Sequence, residues 1–443
     1  MSDAFPILPR PTLGRYKQIA KAFQNACNSS NRTATRDWAA EWLEQLARLQ
    51  SLKITNEVRQ QIAGLAIRIE GHWYKFAKLQ ERPRPCKLVH AQRFIARGHG
   101  FANWPKFAKH LQAISRPHSP VANFESAVDA IVAGNLTRLR KLLRANPKLV
   151  RARSTREHRS TLLHYVSANG VEDFRQKTPM NIVEVTRLLL ESGADVNAES
   201  DAYGGRSTTL GLTATSWHPE NAGLQLPLME LLLDHGALIE GPDGGSAVNG
   251  CLHNGRGQAA EFFASRGARL DLEGAAGVGR LDLVRSNFKP DGTLKPPATQ
   301  TQMNDGFAWA CEFGRTSVVK FLLQRGVKVD TRLKHNGQAG LHWASLGGHA
   351  DTVKLLLKHN SPIDAKDESY DGTALNWALY GWGNATGREA ESRGYYEVVA
   401  ALIREGATFD LPWYEADGDR RNALKKLRSD PRMKSALRGK LRR

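Results

Sequence analysis

Four cysteines, fourteen histidines and ten tryptophans are the side chains from which chemistry could be built in this sequence. Cys27, Cys86, Cys251 and Cys311 lie far apart and form no C-x-x-C pair. They read as isolated, reduced thiols, neither a zinc site nor a disulfide frame. His164 and His342 sit in matching phrases, Thr161-Leu162-Leu163-His164-Tyr165 and Gly340-Leu341-His342-Trp343-Ala344. Trp309, Trp343 and Trp377 stand 34 residues apart. No phosphate-binding G-x-x-x-x-G-K-S/T loop, H-E-x-x-H zinc helix or G-x-S-x-G nucleophile turn is present. The glycine run at 241–245 lies where a hairpin is expected, not between a strand and a phosphate-binding helix. The sequence therefore points away from an enzyme: no catalytic residue, cofactor, metal or small-molecule substrate is expected.

The elements that carry these residues recur. A stretch of apolar residues, two polar residues, then Gly and a small residue appears as Leu188-Leu189-Leu190-Glu191-Ser192-Gly193-Ala194 and Leu231-Leu232-Leu233-Asp234-His235-Gly236-Ala237. It returns at Phe262–Ala268, Phe321–Val327, Leu355–Asn360 and Ala401–Ala407. Each copy reads as a helix whose apolar stripe ends at a left-handed residue, best supplied by Gly or Asn. A shorter helix is expected upstream of each copy. A 34-residue spacing in paired helices is the period of a stacked repeat array.

On these phrases, residues 122–412 resemble an ankyrin-repeat array. The strongest copy is Gly340-Leu341-His342-Trp343-Ala344-Ser345-Leu346-Gly347-Gly348-His349 followed by Leu355-Leu356-Leu357. The resemblance implies an all-α solenoid of about eight helix–turn–helix units, with first helices near Ala127, Leu163, Leu210, Val248, Leu272, Phe307, Leu341 and Leu375. Insertions fall at 171–179, 218–226, 289–301 and 383–393, where polar and turn-forming residues favour surface loops. The fifth unit has a shortened second helix. The resemblance also implies that His164 and His342 bond across their own turns and that the tryptophans pack between neighbouring repeats.

The resemblance implies binding on the concave side, at the hairpin tips and at the two variable residues before the mid-repeat glycine. Here those positions are His253 and Asn254, Glu312 and Phe313, Leu346 with Gly347, and Tyr380 with Gly381, with Trp382 just beyond. Phe313, Leu346, Tyr380 and Trp382 have no packing duty visible in the sequence, so they are expected as an exposed anchor for a protein partner.

Charge separates the ends from the centre. Residues 1–121 hold 20 Lys/Arg and 7 Asp/Glu, residues 122–412 hold 32 and 33, and residues 413–443 hold 11 and 4. The chain is expected to divide into a basic helical N-terminal domain (1–117), the array (122–412) and a basic C-terminal cap (413–443). In the first part, Leu13, Tyr16, Ile19, Ala20 and Phe23 follow helical spacing, as do Trp38, Trp42, Leu43 and Leu46. The phrase Ala96-Arg97-Gly98-His99-Gly100-Phe101-Ala102-Asn103-Trp104-Pro105-Lys106 resembles a segment that precedes ankyrin repeats in bacterial proteins. It reads as an amphipathic cap, or alternatively as a DNA-reading helix pair with Lys106, Lys109 and His110 on its second helix. In the tail, Leu424 and Leu427 are placed to cover the last repeat. Two partner classes follow: a protein on the repeats, or, alternatively, nucleic acid through the basic ends. The start lacks an export signal and no run of about 18 apolar residues occurs, so a cytoplasmic protein with no membrane partner is expected.

Overall fold

A computed structural model describes residues 5, 7–8, 11–31, 33–49, 52–79, 85–241, 244–333, 337–385, 393–415 and 418–438. The described chain is almost wholly helical. Its strand content is one two-residue pair, Glu199–Ser200 against Ser207–Thr208, plus isolated bridges. No described helix is long and apolar enough to cross a membrane. The chain forms two compact units, Met1–Asp243 and Gly244–Arg443.

The first unit opens with helices Leu13–Cys27, Ala34–Leu49, Asn56–Leu79, Leu88–Gly98 and Trp104–Ile114. Tyr16, Ala20 and Phe23 recur at one helical face and are all buried. Their core is aromatic: Phe23 stacks on Phe94 at 4.9 Å and meets the edge of Trp73 at 5.0 Å. Asn103 caps the fifth helix by accepting from the Lys106 amide, with Pro105 in the first turn. The turn between the fourth and fifth helices is packed inward. His110 is buried and its Nδ1 lies 2.7 Å from Thr155 Oγ1, so it cannot line a DNA-reading surface beside Lys106 and Lys109.

Helix pairs follow in the same unit. Pro120–Val132 precedes Leu136–Ala145, a 3-10 turn at Leu163–Ser167 precedes Ile182–Glu191, and Thr209–Ala214 precedes Gln225–Asp234. A buried ionic cluster joins the opening helices to these pairs. Arg156 reaches Glu125 and Glu172, each at 2.7 Å, and its guanidinium lies over Phe101. Arg175 binds Glu125 and Asp129, also at 2.7 Å each. Arg156 and Glu172 are each 1% exposed. Two cations sharing the same carboxylates are what allow charges to sit this deep.

The second unit continues with Ala247–His253 and Gly257–Ser265, Leu272–Gly277 and Leu281–Ser286, Gln300–Glu312 and Thr316–Gln324, Gly340–Leu346 and Ala350–Lys358, then Ala374–Asn384 and Tyr395–Arg404. Leu281–Ser286 has six residues where its counterparts have nine or ten, the shortening expected for the fifth unit. The second helices end as the phrase demands: Gly193, Gly236, Gly267, Gly326 and Gly406 all have φ between 86° and 96°, and Asn360 has φ 60°. The insertion at 218–226 differs from a plain loop, because Trp217–Asn221 forms a short helix. Within 383–393, residues 386–392 lie outside the described residues, as do 242 and 243 of the glycine run.

The tail packs on the last pair. Helices Gly418–Ser429 and Pro431–Ala436 bury Ala423, Met433 and Ala436, with Leu424 and Leu427 partly buried against the same core.

Candidate protein-interaction surface

The expected strip lies along the first helices of the second unit. The repeat phrase sets short helices side by side, so one position of each falls on a shared face. At the strip's start, His253 ends helix Ala247–His253 with its ring half exposed. Its Nε2 donates to Glu273 Oε1 at 2.6 Å, and the ring tilts over Trp309 at 5.2 Å. The same Glu273 oxygen accepts from Trp309 Nε1 at 2.9 Å. The bond to Glu273 raises the His253 pKa, against the opposing effect of burial. Asn254 is exposed and turns back to donate to the Gly250 carbonyl.

Glu312 is different in kind. Its carboxyl is buried near Arg256, and its Oε2 has no hydrogen-bond partner. Burial pushes its pKa up to about 8, with the Arg256 charge opposing. Phe313 caps the same helix and lies across Gly257, where any Cβ would collide with the ring. Phe313 therefore does have a packing duty, and it is only partly exposed. Leu346 is half buried against the core, and its carbonyl accepts from the Tyr395 hydroxyl at 2.9 Å. Tyr380 is partly buried against the core, edge-on to Trp377 at 5.5 Å and Trp413 at 6.5 Å.

Trp382 is a correction. It is 1% exposed and sits in the core of the second unit, with the Lys426 ammonium 4.7 Å above its ring. Lys426 Nζ also donates to the Trp382 carbonyl at 2.6 Å. The reason is helix length. Ala374–Asn384 runs eleven residues where Gly340–Leu346 runs seven, and the added turn carries Trp382 inward.

The tryptophan column is not uniform either. Trp309 and Trp377 are buried and satisfied, Trp377 Nε1 donating to Asp367 Oδ2 at 3.0 Å. Trp343 is half buried, 6.2 Å from Trp309, and its Nε1 has no hydrogen-bond partner. Residues the sequence did not mark complete the surface. Glu273 locks His253 and Trp309 together, and Tyr370, 51% exposed, presents its ring 5.4 Å from Trp377. A carboxylate two residues past an N-cap Asp gave no signal of this role in the sequence.

His164 and His342 hold their turns. His342 accepts from the Ala339 amide at Nδ1 and its Nε2 donates to the Ala365 carbonyl at 2.8 Å. His164 accepts from the Thr161 amide and donates to the Ser207 carbonyl at 3.2 Å. Burial lowers both pKa values, His164 to about 4, which keeps these imidazoles neutral and fixed in one tautomer.

The half-exposed rings and imidazole offer stacking, apolar contact and hydrogen bonding to a partner. Residues 307–412 match the family model for ankyrin repeats, in three copies. No curated protein matches the chain. Among solved structures, the human ASB11 ankyrin repeat domain is similar, at 18% identity and a TM-score of 0.29, covering 64% of this chain and 99% of that one. The described chain is all-α, and its residues 307–412 carry ankyrin repeats, which are modules of protein–protein interaction.

Proposed function

We propose that the chain is a non-enzymatic interaction scaffold in three parts: a helical cap at 1–117, the array at 122–412 and a covering tail at 413–443. Its partner is a protein, held on the first-helix face of the second unit. The observation that supports this is the row of incompletely buried rings at Trp343, Tyr380 and Tyr370, flanked by the half-exposed His253. Aromatic rings with one face packed and one open are rigid contact area that costs little entropy to offer. The basic tail supports the nucleic-acid alternative poorly. Arg420 stacks over Trp413 at 4.2 Å, Arg432 over Tyr396 at 4.0 Å, and Lys426 is engaged by Trp382. These cations already have partners within the fold.

The test uses the full chain as bait in a crosslinking capture from its native cells. Tyr370→Ala with Tyr380→Ala should reduce the captured partner at least about tenfold, as expected when interface aromatics are truncated. The melting curve should shift by only a few degrees. Unchanged capture by a normally folded double variant would move the site elsewhere, to the hairpin tips or insertions.

A further inference from the structure

The sequence separates Cys27 from Cys86 by two whole helices, yet the fold brings them together. Cys27 is the last residue of helix Leu13–Cys27, and the next residue, Asn28, grips the backbone at Cys86. The Cys86 amide donates to Asn28 Oδ1 at 2.8 Å, and Asn28 Nδ2 donates to the Cys86 carbonyl at 3.0 Å. Gln24 Nε2 adds a third bond to that carbonyl at 3.1 Å. Three hydrogen bonds from one helix end thus fix where residue 86 lies. The two side chains come close enough to interact there, and the Cys86 thiol also donates to the Lys87 carbonyl at 3.8 Å. Both cysteines are free, Cys86 buried and Cys27 partly exposed.

We propose that Cys27 and Cys86 form a redox-active pair that closes to a disulfide on exposure to a low-molecular-weight disulfide such as oxidised glutathione. A thiolate is the attacking species in such exchange. Cys27 is the more exposed residue of the two. Its thiol gives up its proton to solvent as the sulfur attacks one sulfur of the oxidant, and the small thiolate that leaves takes up a proton in turn. Cys86 then gives up its own proton and attacks the Cys27 sulfur, breaking the mixed disulfide and expelling the second small thiolate. Each departing thiolate ends as a thiol. The oxidant is reduced by two electrons, and the two cysteines lose one each. The lowered pKa of Cys86 favours its thiolate in the second, resolving attack.

The other two cysteines are built for the opposite behaviour. Cys251 and Cys311 are fully buried, and burial pushes both thiols up, Cys251 to about 12. A bond between residues 27 and 86 encloses helices Ala34–Leu49 and Asn56–Leu79 in one covalent loop. Leu43, Leu46, Ile62 and Ile69 of those helices line an apolar cavity of about 260 Å³. Closing so long a loop restricts the unfolded chain, so oxidation should make the helices around this cavity harder to unfold.

The experiment treats the reduced full chain with oxidised glutathione, once folded and once in denaturant. Each sample is then alkylated, digested without reductant and mapped by mass spectrometry. In the folded protein we expect a single intrachain Cys27–Cys86 peptide and an intact mass about 2 Da lower. Cys251 and Cys311 should remain free. Thermal melting should begin at a higher temperature and return to its starting value with dithiothreitol. In denaturant, several pairings should appear. The proposal is overturned if the folded chain yields the same mixture as the denatured one. It is equally overturned if Cys27 stops at the glutathione adduct or links two chains.

Discussion

At Gly326 the sequence and the backbone agree to within one dihedral angle. Its φ is 90° and a Cβ built there would touch nothing within 4 Å. A side chain at this position therefore meets strain from its own backbone and no steric clash with neighbours. Gly326→Val should cost about 1–2 kcal/mol or more, since a β-branched residue resists the left-handed region. Thermal or urea unfolding measures the loss, and an unchanged curve would refute the assignment of this residue as the helix cap. Trp382 shows the opposite case. Its burial depends on a helix that outruns its counterparts and on Lys426, a residue 44 positions later in the chain. No local pattern around residue 382 encodes either.

Among elements, the junction in the first unit depends on charges that folding has taken out of water. Burial alone would raise the Glu125 pKa, but Arg156 and Arg175 outweigh it and hold this carboxyl down to about 2. Glu172 is likewise well below the usual carboxylate range despite burial, through Arg156 and its bond with His158. Carboxyls lowered in the folded state stabilise it fully above their unfolded pKa, about 4.3. That stabilisation is lost as pH falls from there towards 2. Melting of the first unit should therefore be flat from about pH 8 to 5 and drop steeply below, which circular dichroism across the range would detect. Glu125→Gln should lower stability at pH 7 and flatten that acid drop; a variant that kept the full slope would place the titration elsewhere. The helices flanking the junction were legible from apolar spacing, and Gly, Asn and Pro marked their ends. The ionic cluster was not, because Glu125, Arg156 and the Glu172/Arg175 turn belong to three different segments and each charge alone reads as a solvated surface charge. The pairing of Cys27 with Cys86 escaped for the same reason: sequence shows spacing, and the contact is made by topology.

For the molecule as a whole, its ends matter more than their charge count suggests. A solenoid has exposed faces at its termini, and these must be covered by something polar outside and apolar within. The helices after residue 417 meet both requirements, burying Ala423, Met433 and Ala436 while their cations lie over Trp382 and Tyr396. Ending the chain at residue 412 should thus destabilise the last repeat and promote association through the uncovered core. Light scattering and thermal melting would register both effects. A truncated chain that stayed monomeric with an unchanged melting point would show the tail to be dispensable.

The carboxyl of Glu312 carries a consequence for the thermodynamics of assembly. With a pKa near 8 it is protonated about ten times more often than ionised at pH 7, so the formal charge of +19 understates the true one by nearly a unit. A lysine or arginine from a partner seated over Gly255 and Glu312 would bind the ionised form. Each such docking event would then expel close to one proton into the solvent. Calorimetry would reveal it directly: the heat of complex formation would change with the ionisation enthalpy of the buffer, and affinity would climb as pH approaches 8. A surface of this kind meters its contacts in hydrogen ions.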